Sequence, residues 1–118
     1  MDNNISREAA IDFLEKQIDN RILYRRAIYN FGPEAQTLMV FEEMSELQKE
    51  LCKHARGKDN LEAIAEEIAD VQIMLEQMIE LHGCEDAVLF YKRHKLERLA
   101  KRIEKAREAD SPEPVHGE

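Results

Sequence analysis

Residues 61–82 read LEAIAEEIADVQIMLEQMIELH. Leu61, Ile64, Ile68, Leu75 and Ile79 recur at helical spacing and form one apolar stripe. Val71, Met74, Met78 and Leu81 widen that stripe well beyond an ordinary surface helix. A helix apolar over so much of its circumference is central, or is covered by a second subunit. Asp59-x-x-Glu62 ahead of it resembles a capping box with Asp in place of Ser or Thr, and Gly83 behind it suits a left-handed stop.

Three further helices flank this one. The first is expected from about Ser6 to Asn30, with Ser6 as its cap and Ala9, Phe13, Ile22 and Tyr29 marking part of an apolar face. A break near Gln17–Asn20 is allowed, and Phe31-Gly32-Pro33 ends the helix. The second runs from about Glu34 to Ala55, with Val40, Met44, Leu47 and Leu51 as its stripe, and stops at Arg56-Gly57-Lys58. The fourth starts near Glu85 and reaches about Ala109, where Asp110-Ser-Pro-Glu-Pro breaks it. Short connections between amphipathic helices predict an all-α, antiparallel four-helix bundle. It is expected as one domain over 1–109, followed by a disordered tail over 110–118. The surplus apolar arc on the third helix predicts an oligomer.

Composition supports this class. The 118 residues carry 17 Lys+Arg against 25 Asp+Glu, a formal charge of −8, which disfavours nucleic acid as a partner. Only 4 Gly and 3 Pro are available for turns, too few for a sandwich or barrel. No run approaches the roughly 20 apolar residues of a membrane span. Met1-Asp2-Asn3-Asn4 lacks the basic start of an export signal, and Cys52 and Cys84 are not a C-x-x-C pair. A cytoplasmic protein with reduced thiols is expected, with Cys52 in the core.

The acids are where the sequence becomes specific. Helical wheels place Glu43 and Glu46 together beside the second helix's stripe, with Glu50 nearby and Glu42 opposite. On the third helix, Glu67 and Asp70 share an arc with Ala63, Met74 and Leu81. Four carboxylates beside apolar surface repel one another and resist ionisation unless a cation joins them. Oxygen-only donors suit Mg²⁺, with Mn²⁺ as a substitute. Carboxylate-bridged iron would call for Glu-x-x-His on two helices, yet within the expected helices Leu51, Ile79 and Tyr91 stand three before His54, His82 and His94. The competing reading is a solvated acidic face, because E-x-x-E spacing alone is common.

Glu43-x-x-Glu46 followed by Glu67-x-x-Asp70, within Glu-Glu-Ile-Ala-Asp-Val, resembles the MazG-like all-α nucleoside triphosphate pyrophosphohydrolases. Ala35-Gln36 and Arg56-Gly57-Lys58 add to the resemblance, which covers roughly residues 32–103. It implies that Glu43, Glu46, Glu67 and Asp70 bind metal. The implied reaction is hydrolysis of a (deoxy)nucleoside triphosphate to monophosphate and pyrophosphate, which sanitises the nucleotide pool. The implied assembly is a homodimer or homotetramer.

Chemistry would rest on a metal-activated water, with Glu46 or Glu67 orienting it or taking its proton. No Gly-rich phosphate loop is present, and no nucleophile stands beside a base. Positive partners for phosphate are sought on the fourth helix. Lys95 and Arg98 best match the family's phosphate-holding residues, with Lys92 close to the same face and the family's Asn missing. A basic solvated face is the alternative there, and favourable interaction with a helix end is the alternative for Lys53, Arg56 and Lys58. Met39, Met44, Met74 and Met78 could line a base pocket, or fill the core. The rival to an enzyme is a non-enzymatic helical interaction or scaffold module, and nucleic-acid binding through the fourth helix is a weaker third reading.

Overall fold

A computed structural model describes residues 6–110. Four helices and no strand are found among them. They fall into two compact units, one within Met1–Gly83 and one within Cys84–Glu118.

The first unit holds α1 (Arg7–Phe31), α2 (Pro33–Ala55) and α3 (Leu61–His82). Ser6 caps α1, its Oγ accepting from the Ala9 amide at 3.0 Å. No break occurs at 17–20, because Asp19 and Asn20 each disfavour helix by only about 0.6 kcal/mol. Gly32 then stops α1, with φ 94° and ψ 147°, a conformation essentially reserved for glycine. Pro33 follows at the first turn of α2, where its missing N–H is no loss. Gly57, at φ 100°, closes the turn after α2. Gly83 ends α3 in the left-handed region, as its sequence position predicts.

The start of α3 differs from expectation. The capping position belongs to Asn60 rather than Asp59, and no side chain caps the helix. The Asn60 amide is spent on α2 instead.

α2 and α3 run antiparallel and make the principal packing of this unit, with α1 laid against both. Among the described residues, Val40, Val71 and Met74 are the buried apolar ones. One run of covered residues is Gln36, Val40, Glu43, Leu47 and Glu50 on α2, and another is Asn60, Ile64, Glu67, Val71, Met74 and Met78 on α3, with Gln77 buried beside it. Both sets follow the seven-residue repeat of a paired-helix seam. Two of the four stripe residues expected on α2 and three of the five on α3 are exposed instead. Met44 and Leu51 are exposed on α2, as are Leu61, Ile68 and Leu75 on α3. The helices are rotated so that acids, rather than these apolar side chains, enter the seam.

α1 is held at its far end. Tyr24, Ala27 and Ile28 are partly covered, whereas residues 7–23 are exposed throughout. Phe13, Ile22 and Tyr29, expected on a packed face, lie open. Arg21 Nε donates to Glu80 Oε1 at 2.9 Å, and Arg25 Nε lies 3.4 Å from the same oxygen. The Arg21 hydrogen bond holds the Glu80 carboxyl below its usual range. Cys52 is exposed rather than a core thiol.

The second unit's described part is α4 (Glu85–Asp110). It includes Asp110, which the sequence assigns to the tail. The rest of the expected tail, 111–118, lies outside the described residues. Glu85 and Asp86 occupy the first turn, where acids complement the helix dipole. No described residue of α4 is buried. No helix among the described residues is long and apolar enough to cross a membrane.

Candidate metal centre

The seam of α2 and α3 is a ladder of alternating polar and apolar rungs. Gln36, Glu43 and Glu50 stand seven residues apart on α2, with Val40 and Leu47 between them. Gln36 Nε2 donates to Gln77 Oε1 at 2.6 Å, and both side chains are buried. Two turns further along α2, Glu43 meets Glu67 and Asp70. One carboxylate oxygen from each of these three lies within 4.8 Å of the others. Two turns further again, Asn60 Nδ2 donates to Glu50 Oε1 at 2.8 Å and to the Glu50 backbone carbonyl at 3.0 Å.

The middle rung is electrostatically strained. Burial pushes the Glu43 carboxyl above its usual range, and the charges of Asp70 and Glu67 push it further. Glu67 is raised in the same way, by burial first and then by Asp70 and Glu46. Glu67 Oε2 is shielded from water and has no hydrogen-bond partner. A buried acceptor without a donor is uncommon in native structures. Three carboxylates, one of them with the orphaned Glu67 oxygen and one the exposed Asp70, are an all-oxygen donor set of the kind that Mg²⁺ or Mn²⁺ takes. The residues therefore fit a hard divalent cation.

Of the four expected metal-binding acids, Glu43, Glu67 and Asp70 are brought together. Glu46 lies partly covered on the same helix and close enough to raise both Glu43 and Glu67, but outside that group of three. Glu42 and Glu66 are exposed, as the helical wheels place them. Lys92, Lys95 and Arg98 are exposed along α4. The methionines split: Met74 is buried and Met78 partly covered, whereas Met39 and Met44 are exposed.

Glu50 behaves differently from the other acids. Asn60 occupies its Oε1 and Lys53 Nζ lies 3.1 Å from its Oε2. The Asn60 hydrogen bond, aided by Lys53, holds its carboxyl below the usual range. Apolar periodicity did not reveal the roles of Glu50, Asn60 and Gln77. The signal that could have done so is the seven-residue spacing of Gln36, Glu43 and Glu50.

No family model, curated protein or solved structure matches this chain.

Proposed function

We propose that the chain is a Mg²⁺-dependent nucleoside triphosphate pyrophosphohydrolase of the MazG-like kind. The observation carrying this reading is the convergence of Glu43, Glu67 and Asp70 around the orphaned Glu67 oxygen. A bound Mg²⁺ supplies charge neutralisation at phosphoryl oxygens and a water of lowered pKa. Glu43, Glu67 and Asp70 would hold the cation, each through one carboxylate oxygen. Glu67, with its unpartnered oxygen, takes the proton of the attacking water, and Glu46 is the neighbouring acid. The water oxygen bonds to the α-phosphorus, the α–β anhydride bond breaks, and pyrophosphate leaves. The resemblance implies a phosphate-holding role for Lys92, Lys95 and Arg98. The working form is a homodimer or homotetramer, a reading supported by the open apolar faces of α1, α2 and α3.

The test is pyrophosphate release from a panel of ribo- and deoxyribonucleoside triphosphates, with Mg²⁺ and with chelator. Metal-dependent release with a monophosphate product is expected, and Glu67→Gln abolishes it while the far-ultraviolet dichroism stays unchanged. Normal turnover by that variant would remove Glu67 from the site.

The second reading, an interaction module, draws on the uncovered apolar residues of α1, which include Ile11, Leu14 and Ile18. It expects no rise in melting temperature with Mg²⁺, whereas a cation bound only by the folded chain raises it.

A further inference from the structure

We infer that Asn60 is a positioning residue. Through Glu50 it fixes the spacing of α2 and α3 two turns from the acidic rung, and so keeps Glu43, Glu67 and Asp70 converged before any cation arrives. This rests on the cation reading of that rung.

Geometry comes first. Asn60 precedes Glu67 by seven residues and Glu50 follows Glu43 by seven, so the clamp sits about 10 Å along the seam from the acids. On the other side, Gln36 and Gln77 sit seven residues from Glu43 and Asp70. The repelling carboxylates are thus bracketed by two amide hydrogen-bond rungs. Without such brackets, like charges would drive the two helices apart at the middle rung.

The chemistry of Asn60 points the same way. It is 7% exposed and stands where a side chain ordinarily caps the helix, yet it makes no cap. Both of its contacts on Glu50 are acceptors, which fixes the amide with its NH₂ toward α2. Its Oδ1 is buried without a partner, so the residue is held by the end that reaches across the seam. A side chain kept at that expense is a cross-brace rather than a cap.

Glu50 is consequently a strut and not a cation ligand. Both of its oxygens are committed, one to Asn60 and one to Lys53, whereas Glu67 keeps an open oxygen. Its position on the seam would otherwise count it among the metal-binding acids.

The experiment is Mn²⁺ binding to the full chain, read from the electron paramagnetic resonance signal of the free ion, alongside melting in chelator. Asn60→Ala and Asn60→Asp should each weaken Mn²⁺ binding about 10–100-fold, the usual effect of losing a residue that orients metal ligands. Asn60→Asp sets two carboxylates face to face. The double variant Asn60→Asp with Glu50→Gln exchanges donor and acceptor in the side-chain bond but not in the bond to the Glu50 carbonyl, so it should recover part of the affinity that Asn60→Asp loses, even if Asn60→Ala folds poorly. A purely structural role would lower the melting temperature in chelator and leave Mn²⁺ affinity unchanged. That result, or failure of the double variant to recover affinity, overturns the inference while the cation site stands. Absence of Mn²⁺ binding by the unaltered chain overturns the cation site and the inference together.

Discussion

Glu67 combines a raised carboxyl with a shielded oxygen that has no hydrogen-bond partner. Its proton affinity and that of Glu43 are raised above the ordinary 4.5. A carboxyl raised in the folded state binds its proton more tightly there than in the unfolded chain. Between 4.5 and the raised value, stability therefore falls as pH rises. Glu67→Gln removes one charge from the rung and relieves Glu43. In chelator at neutral pH the variant should melt above the unaltered chain. The gap should shrink as pH falls through the raised values and close below 4.5. Glu50 and Glu80 are lowered and titrate in the opposite sense, with stability lost as pH falls through their folded values. They are present in both chains, so the difference isolates the rung. Saturating Mg²⁺ should reverse the order, because only the unaltered chain has its full ligand set. A variant that melts no higher in chelator at neutral pH would mean that the acids do not repel.

At the scale of elements, punctuation residues made the fold readable. Gly32-Pro33, Gly57 and Gly83 mark three helix boundaries because each tolerates what other residues do not. Gly32 sits at φ 94° and ψ 147°, and Gly83 at φ 59° and ψ 39°. A Cβ at either meets no atom within 4 Å, so any penalty is backbone strain alone. Gly32→Ala should therefore lower stability by about 1–3 kcal/mol, against about 1 kcal/mol for Gly83→Ala. Denaturant unfolding measures both, and the ranking is the test. Rotation of the helices was less legible. Apolar periodicity centres α2 on Val40, Met44, Leu47 and Leu51, yet the seam takes Val40 and Leu47 together with Gln36, Glu43 and Glu50. Wheels measure where apolar residues lie, whereas the seam is set by what the partner helix offers in return. The acids were found in sequence because they sit beside the stripe. Asn60 escapes that reading because the expected cap is Asp59, which puts Asn60 inside the helix.

At the scale of the whole molecule, the balance of exposed and buried surface dominates. Three buried apolar side chains among the described residues are a small core for a chain whose residues are 43% hydrophobic. Ile68 and Leu75 on α3, and Met44 and Leu51 on α2, are all at least 40% exposed. A surface of this kind is characteristic of chains that associate. Light scattering behind size exclusion should give a mass that is a whole multiple of the single chain. Replacing Ile68 and Leu75 together by Glu should reduce that multiple without loss of helicity. A monomeric mass for the unaltered chain at micromolar concentration would mean that the apolar faces serve something other than self-association.

The connection between α2 and α3 is five residues long, 56–60. Most surface loops accept added residues at little penalty, because closure entropy grows slowly with length. This one ends in Asn60, so its length decides which rung meets which. A slip by one repeat would set Gln36 opposite Glu67 and Glu43 opposite Asn60, pairing amides with acids and relieving the crowding of carboxylates. Such a slip would draw the turn back into α2 and carry Gly57 into α3, where glycine is about 1 kcal/mol worse than alanine. The loop acts as a ruler. Insertions and deletions between Ala55 and Leu61 should be tolerated far less well than substitutions on the outer faces of either helix.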